Sequence, residues 1–321
     1  MVPQRIKKSE FSHTSSYIVV SKWLFDESDI LDFNLYLEGG ELFIPKSSKI
    51  SHSLIEEFKK IDKLYIRQSD LEIYNRFIER IVTEIARDKK VSILKKASVI
   101  YHQASEILDD MFENPEELEN VSKSKKVVDN FVGTILSDSR AIESLIAITS
   151  YDYYTHTHSI NVSIYALCLG SYLGFSDSDI TQLGQAALMH DLGKSKIDPA
   201  ITNKNGKLTT SEFNTMKLHT VHGHSIALKL GIKESKILDA IRHHHEKLNG
   251  TGYPDGLSGR NITLFPRIIA ICDIFDALST KRSYKDRLSS FDTLMLMKRT
   301  MQDHIDMDLL NAFIRMQRPT I

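Results

Sequence analysis

Residues 186–194 read AALMHDLGK, and this stretch determines how the rest of the chain is interpreted. An apolar helix ends in two adjacent polar side chains, the imidazole of His190 and the carboxylate of Asp191. A buried polar group is costly unless it is paired or binds a metal. Mixed imidazole and carboxylate ligands suit iron, manganese or zinc. The stretch therefore predicts a metal site at the end of a buried helix.

Histidines elsewhere in this half of the chain support the prediction. The chain has 13 histidines, and nine of them lie between His156 and His245. Most of the candidates adjoin or interrupt apolar runs, where a solvated surface is not expected. Asp273, for example, lies inside the apolar run 268–275. The candidate ligands are His158, His190, Asp191, His219, His244, His245 and Asp273.

The composition argues against a protein that binds nucleic acid or membranes through its overall charge. The chain has 321 residues with a net charge of -1, which gives no bulk attraction to a nucleic acid polymer or a membrane surface. The two cysteines, Cys168 and Cys272, lie in apolar runs and are predicted to be buried thiols. No apolar run approaches the roughly 20 residues of a spanning helix, and residues 1–11 do not resemble a signal peptide. We therefore expect a cytoplasmic protein.

The chain divides by pattern into three parts. Residues 1–70 contain short β-prone runs, with Gly39 and Gly40 predicting a hairpin turn, and we expect a small α+β regulatory domain. Residues 71–150 have helical periodicity and predict a helical linker. Residues 151–321 predict an all-α domain, interrupted by the glycine-rich loop 249–259. The predicted fold class is mostly α, and dimerisation through the first two parts stays open.

Taken in order, the motifs of the C-terminal half resemble those of the HD-GYP family, a subgroup of the HD phosphohydrolases. The resemblance runs from about Asp152 to Leu309. It rests on HSINV at 158–162, HDLGK at 190–194, KLH at 217–219, HHE at 244–246, NGTGYP at 249–254, DIFDALS at 273–279 and RSYK at 282–285.

The resemblance implies a helical metallohydrolase bundle that cleaves cyclic di-GMP to linear pGpG, with GMP as a further product in some members. It implies that the seven candidate residues hold divalent metal ions, iron foremost and otherwise manganese or zinc, with Asp191 bridging them. Family members with three metals have a glutamate where this chain has Tyr154, so we expect two. Asp191 and Lys194 are the expected catalytic residues. The expected substrate-binding residues are Lys194, Tyr253, Arg282 and Lys285.

Two alternatives stay open at this point. The C-terminal domain could be a weakly active binding module that acts through cyclic di-GMP and a protein partner, such as a diguanylate cyclase. It could also be an HD-type nucleotide hydrolase with another substrate, although the HHE and GYP elements argue against a general HD enzyme.

Overall fold

The computed structural model describes residues 17–20, 22–27, 29–61, 63–85, 93–137, 142, 145, 146, 149, 157–279 and 288–317. It divides into two compact units, residues 1–99 and residues 100–321. The division falls within a long helix, α3, that covers Ile93–Glu113.

The first unit contains a four-stranded antiparallel sheet with the order β1-β4-β2-β3. Its strands are β1 (Tyr17–Val20), β2 (Leu35–Tyr36), β3 (Leu42–Ile44) and β4 (Leu64–Arg67), and its helices are α1 (His52–Lys60) and α2 (Leu71–Ile85). Gly39 and Gly40 both have positive φ in the turn between β2 and β3, as the hairpin prediction requires. Phe25, Phe33 and Phe58 are among the aromatic residues of its core.

The second unit is helical among the residues that the structure describes. After α3 its helices are α4 (Glu119–Ser137), α5 (Thr157–Tyr172), α6 (Asp177–Met189), α7 (Pro199–Thr202), α8 (Thr210–Lys217), α9 (His219–Lys229), α10 (Ser235–His243), α11 (Leu264–Ser279), α12 (Ser290–Thr300) and α13 (Met307–Met316). A 3₁₀ helix, Leu192–Lys196, follows α6. The prediction of a mostly helical chain with a small N-terminal α+β region is confirmed.

Helix α5 is the centre of this unit and packs against α6, α11 and α13. Every residue of α5 from Ser159 to Gly170 is buried. Its small polar residues are accommodated by local partners; the Ser163 hydroxyl, for example, donates to the Gly184 carbonyl at 2.8 Å. Both cysteines are buried free thiols, as predicted. No described helix has the length and apolar character needed to cross a membrane.

Candidate metal centre

The polar pair that interrupts residues 186–194 lies where α6 ends. His190 follows the last residue of α6, and Asp191 precedes the 3₁₀ helix. Gly193 brings this turn against α9, since a Cβ built on Gly193 would lie 1.9 Å from the carbonyl oxygen of His219. The absence of a side chain at position 193 thus allows His219 to approach the pair. His219 is the first residue of α9.

All seven candidate ligands come together in this region. They form two groups, and within each group one potential ligand atom per residue lies within 4.8 Å of the others. The first group is Asp191, His219, His244 and His245, and the second is His158, His190 and Asp273. These residues come from five separate segments of the chain, so only the folded unit assembles them.

Three of the histidine rings are oriented by the same local interaction. His190, His219 and His244 each place Nδ1 at 2.7–2.9 Å from the backbone carbonyl three residues earlier, on Ala187, Met216 and Ile241 respectively. A carbonyl only accepts, so Nδ1 must carry the proton and donate. Nε2 is then left as the acceptor atom that faces the cluster, which is the tautomer that a metal ligand requires.

His158 is oriented differently, by a carboxylate from another helix. Its Nδ1 lies 2.7 Å from Oδ2 of Asp276 on α11, and Asn161 Nδ2 donates to Oδ1 of the same carboxylate at 2.9 Å. Asp276 is 1% exposed. Nε2 of His158 lies 3.0 Å from Oδ1 of Asp273. Asp276 thus directs this imidazole into the cluster.

Asp191 lies between the two groups. Its Oδ1 is 3.4 Å from Nε2 of His219, and its Oδ2 is 3.4 Å from Nε2 of His190. The two oxygens therefore face different groups, as a bridging carboxylate would. The ammonium of Lys194 contacts Oδ2 at 2.5 Å and is about one-third exposed, so it lies between the buried carboxylate and solvent.

Burial sets the protonation of most of the rings. It lowers the pKa of His190 and His219, holds that of His244 well below its usual range, and lowers the pKa of His245 to about 3. The neighbouring imidazole of His245 lowers the pKa of His244 further. At neutral pH these rings are neutral, which is the protonation state in which imidazole binds a cation.

Opposite charges inside the cluster lower the pKa of its two carboxyl groups and raise the pKa of His158. Burial opposes ionisation of Asp191, but Lys194 and the surrounding histidines together outweigh it and hold the carboxyl pKa well below its usual range. Burial also opposes ionisation of Asp273, but its pKa is lowered, chiefly by the hydrogen bond with His158. Burial alone would lower the pKa of His158, yet hydrogen bonds with Asp273 and Asp276 raise it to about 10. Both cluster carboxylates are therefore ionised.

The cluster has polar atoms that its own residues leave unsatisfied. Within the described part of the chain, Nε2 of His190 and Oδ1 of Asp191 are buried without a hydrogen-bond partner. The Nε2 atoms of His219 and His244 lie 3.3 Å apart, although both rings already donate through Nδ1. Two facing acceptors repel unless a positive charge lies between them, and unsatisfied buried polar atoms are costly. The donor set therefore fits divalent cations.

The glycine-rich loop packs directly against this cluster. Tyr253 places its ring 4.8 Å from that of His245, centroid to centroid, and burial raises its pKa. Glu246 is 5% exposed and accepts backbone N–H groups of Asp255, Gly256 and Leu257 at 2.7–3.0 Å. Three such bonds fold the loop back onto the end of α10. Glu246 thus positions the loop that carries Tyr253.

Several predicted residues fall outside this description. Tyr154, Arg282 and Lys285 lie outside the described residues, so their assigned roles stay predictions. Of the functional residues, sequence reasoning assigned no role to Asn161, Asp276 or Glu246. All three lie within motifs quoted from the sequence, which was the available signal.

Comparisons with known proteins agree on the C-terminal half. The protein-family model described as HD domain matches residues 140–309. The chain is 32% identical over 196 residues to a cyclic di-GMP phosphodiesterase of Pseudomonas aeruginosa, which covers 61% of this chain and 47% of the relative. It is 38% identical over 159 residues to 3'3'-cGAMP-specific phosphodiesterase 3 of Vibrio cholerae, covering 50% of this chain and 34% of the relative. The chain thus spans less than half the length of these curated relatives.

A solved structure extends the likeness in fold to most of the chain. An HDG"Y"P protein from Bdellovibrio bacteriovorus has a TM-score of 0.67 and 19% sequence identity, covering 92% of this chain and 98% of the other. At this identity the likeness concerns the fold alone. It includes the N-terminal region, for which the sequence motifs gave no relative.

Proposed function

The chain belongs to the HD domain family, and from this premise we propose that it is a metal-dependent phosphodiesterase that hydrolyses cyclic di-GMP to linear pGpG. The observation that carries the proposal is the convergence of seven imidazole and carboxylate side chains into two adjoining groups. Relatives named as cyclic di-GMP phosphodiesterases at 32–40% identity support the choice of substrate. Onward cleavage to GMP is a further expectation.

HD domains imply divalent metal binding, and we propose two ions. Asp191, His219, His244 and His245 would hold one, and His158, His190 and Asp273 the other, with Asp191 shared. Iron is the proposed metal, and manganese and zinc suit the same donors. Two bound cations would supply an activated water at neutral pH and would stabilise the charge that develops on the phosphoryl oxygens.

The residues of the chain itself would bind and orient the substrate. The Lys194 ammonium is partly exposed beside Asp191, where it can attract a phosphate of the dianionic substrate. The Tyr253 ring lies beside His245 and forms part of the wall of the site. Burial of Tyr253 against the cluster excludes water from that side. Arg282 and Lys285 remain our candidates for further phosphate contacts.

The proposal is tested by supplying substrates to protein loaded anaerobically with Fe²⁺ or Mn²⁺. Cyclic di-GMP, 3'3'-cGAMP, deoxynucleoside triphosphates and an alarmone are incubated separately, and products are separated by chromatography. We expect pGpG from cyclic di-GMP and no product with Asp191→Ala. Tight binding of cyclic di-GMP without cleavage would instead identify a binding module, and hydrolysis restricted to another nucleotide would identify a different HD enzyme.

The remaining expectations extend the proposal beyond the site. We retain residues 1–70 as a regulatory domain, 71–150 as a helical linker and 151–321 as the hydrolase domain. Homodimerisation through the first two parts, a signalling partner such as a diguanylate cyclase, and a cytoplasmic location also stay predictions. Size measurement by light scattering tests the dimer directly.

A further inference from the structure

We infer that Tyr101, on the helix that leads into the second unit, is a positioning residue for the metal centre. Its hydroxyl acts through Asn161 and Asp276 to fix the imidazole of His158. The inference rests on the proposed metal centre, because its consequence is the affinity of that centre for a cation. It concerns a residue about 60 positions before the first candidate ligand, outside every motif quoted above.

Three consecutive hydrogen bonds connect the tyrosine to the imidazole. The Tyr101 hydroxyl donates to Oδ1 of Asn161 at 2.7 Å, and Asn161 Nδ2 donates to Oδ1 of Asp276 at 2.9 Å. Oδ2 of Asp276 accepts from Nδ1 of His158 at 2.7 Å. Tyr101 is 3% exposed, Asn161 0% and Asp276 1%, so water does not compete with these bonds.

The chemistry of the groups sets the direction of each bond. A carboxylate has no proton to donate, so Asp276 needs a donor from both Asn161 and His158. The amide nitrogen of Asn161 must therefore face Asp276, and its oxygen must face Tyr101. The Thr149 carbonyl also accepts from the amide nitrogen, at 3.5 Å, and the Tyr101 hydroxyl is the donor that holds the amide oxygen. His158 in turn donates from Nδ1 and directs Nε2 toward Asp273, 3.0 Å away.

Tyr101 lies in the helix that contains the boundary between the two compact units. Helix α3 covers Ile93–Glu113, and the division between the two compact units falls within it. A displacement of α3 by about 1 Å would lengthen the 2.7 Å bond beyond hydrogen-bonding distance. A change at α3 can thus alter the orientation of a candidate metal ligand without touching the cluster itself.

The test compares two conservative substitutions in the full-length protein. Tyr101→Phe removes the hydroxyl that orients Asn161. Tyr36→Phe is the matched control, because Tyr36 is also 3% exposed and its hydroxyl accepts from Asn34 Nδ2 at 3.2 Å, in the sheet of the first unit. Asp276→Asn is a positive control for loss of the carboxylate. Co²⁺ is titrated into each protein with a competing chelator, and its visible absorption reports the ligand geometry.

We expect Tyr101→Phe to weaken binding of one Co²⁺ equivalent about tenfold, the lower end of the 10–100-fold cost of removing a partner that orients a ligand. Its absorption spectrum should change, whereas Tyr36→Phe should match the wild type in both affinity and spectrum. Equal affinities and spectra for the wild type and both tyrosine variants would overturn the inference, as would equal losses in the two tyrosine variants. These readouts use the metal alone, so they stay decisive even if the wild-type protein cleaves no cyclic dinucleotide.

Discussion

Replacement of Gly193 by alanine should damage the metal centre through backbone displacement alone. The added Cβ would lie 1.9 Å from the carbonyl oxygen of His219 and 2.4 Å from the amide nitrogen of Gly223. Contacts under 3.0 Å essentially never occur, so the 3₁₀ helix and α9 must separate by about 1.1 Å or more. Metal–ligand distances tolerate only about 0.2 Å. His219 would therefore leave ligand range of Asp191 and His244.

The expected loss can be measured as both stability and metal content. Overpacking of this kind costs about 2–3 kcal/mol, which corresponds to a fall in Tm of roughly 5–10 °C for a unit of this size. Calorimetry gives the Tm, and elemental analysis of the purified variant gives the bound metal. We expect Gly193→Ala to retain at most one metal ion where the wild type retains two.

The matched control is Gly223→Ala on the facing helix. A Cβ there would meet the Ile241 side chain at 3.1 Å and the Gly193 nitrogen at 3.4 Å, contacts that small adjustments absorb. Alanine also favours a helix over glycine by about 1 kcal/mol. This variant should keep its metal and its Tm. A Gly193→Ala protein that kept wild-type Tm within about 2 °C and full metal content would refute the reasoning.

Three further predictions follow from the described contacts. Asp191→Ala should abolish metal loading and hydrolysis together, whereas Tyr253→Ala should spare metal content; a metal-loaded Asp191→Ala protein would show the ligand set to be wrong. Glu246→Ala leaves three loop N–H groups without their acceptor and should cost about 2–3 kcal/mol, with earlier proteolysis of the loop 249–259; an unchanged unfolding curve would contradict this. Burial lowers the pKa of His102 to about 4 in the folded protein. As the pH falls from 6.5 to 4, the unfolded chain therefore binds a proton at His102 before the folded chain does, and the free energy of unfolding should fall by up to about 3 kcal/mol. His102→Leu should flatten that part of the denaturation profile, and an identical pH profile would count against it.

The candidate ligands could be selected from sequence because most of them adjoin or interrupt an apolar run. His190 and Asp191 follow a buried helix, and Asp273 lies within one, so burial without a partner was physically excluded. The four strands and the hairpin of the first unit were likewise evident from β-prone runs and from Gly39 and Gly40. In these cases the local sequence pattern and the free-energy cost of burying an unpaired polar group were sufficient for the prediction.

What sequence could not supply was contact between distant segments. Asn161 and Asp276 are 115 residues apart, and their pairing exists only because α5 packs against α11. The complete burial of α5 could not be predicted for the same reason, since the buried partners of Asn161 and Ser163 lie on other helices. The role of Glu246 depends on the path of the loop after α10, which folds back to place the Asp255 N–H against its carboxylate. Sequence periodicity does not predict such a path.

Histidine combines two functions at positions 190, 219 and 244. Each ring is tethered through Nδ1 to the backbone carbonyl three residues earlier and presents the lone pair of Nε2 to the cluster. A carboxylate cannot donate the tether, and an amide that donates it turns its oxygen away from the centre. A carboxylate or an amide at one of these positions would therefore give up either the tether or the lone pair that faces the centre.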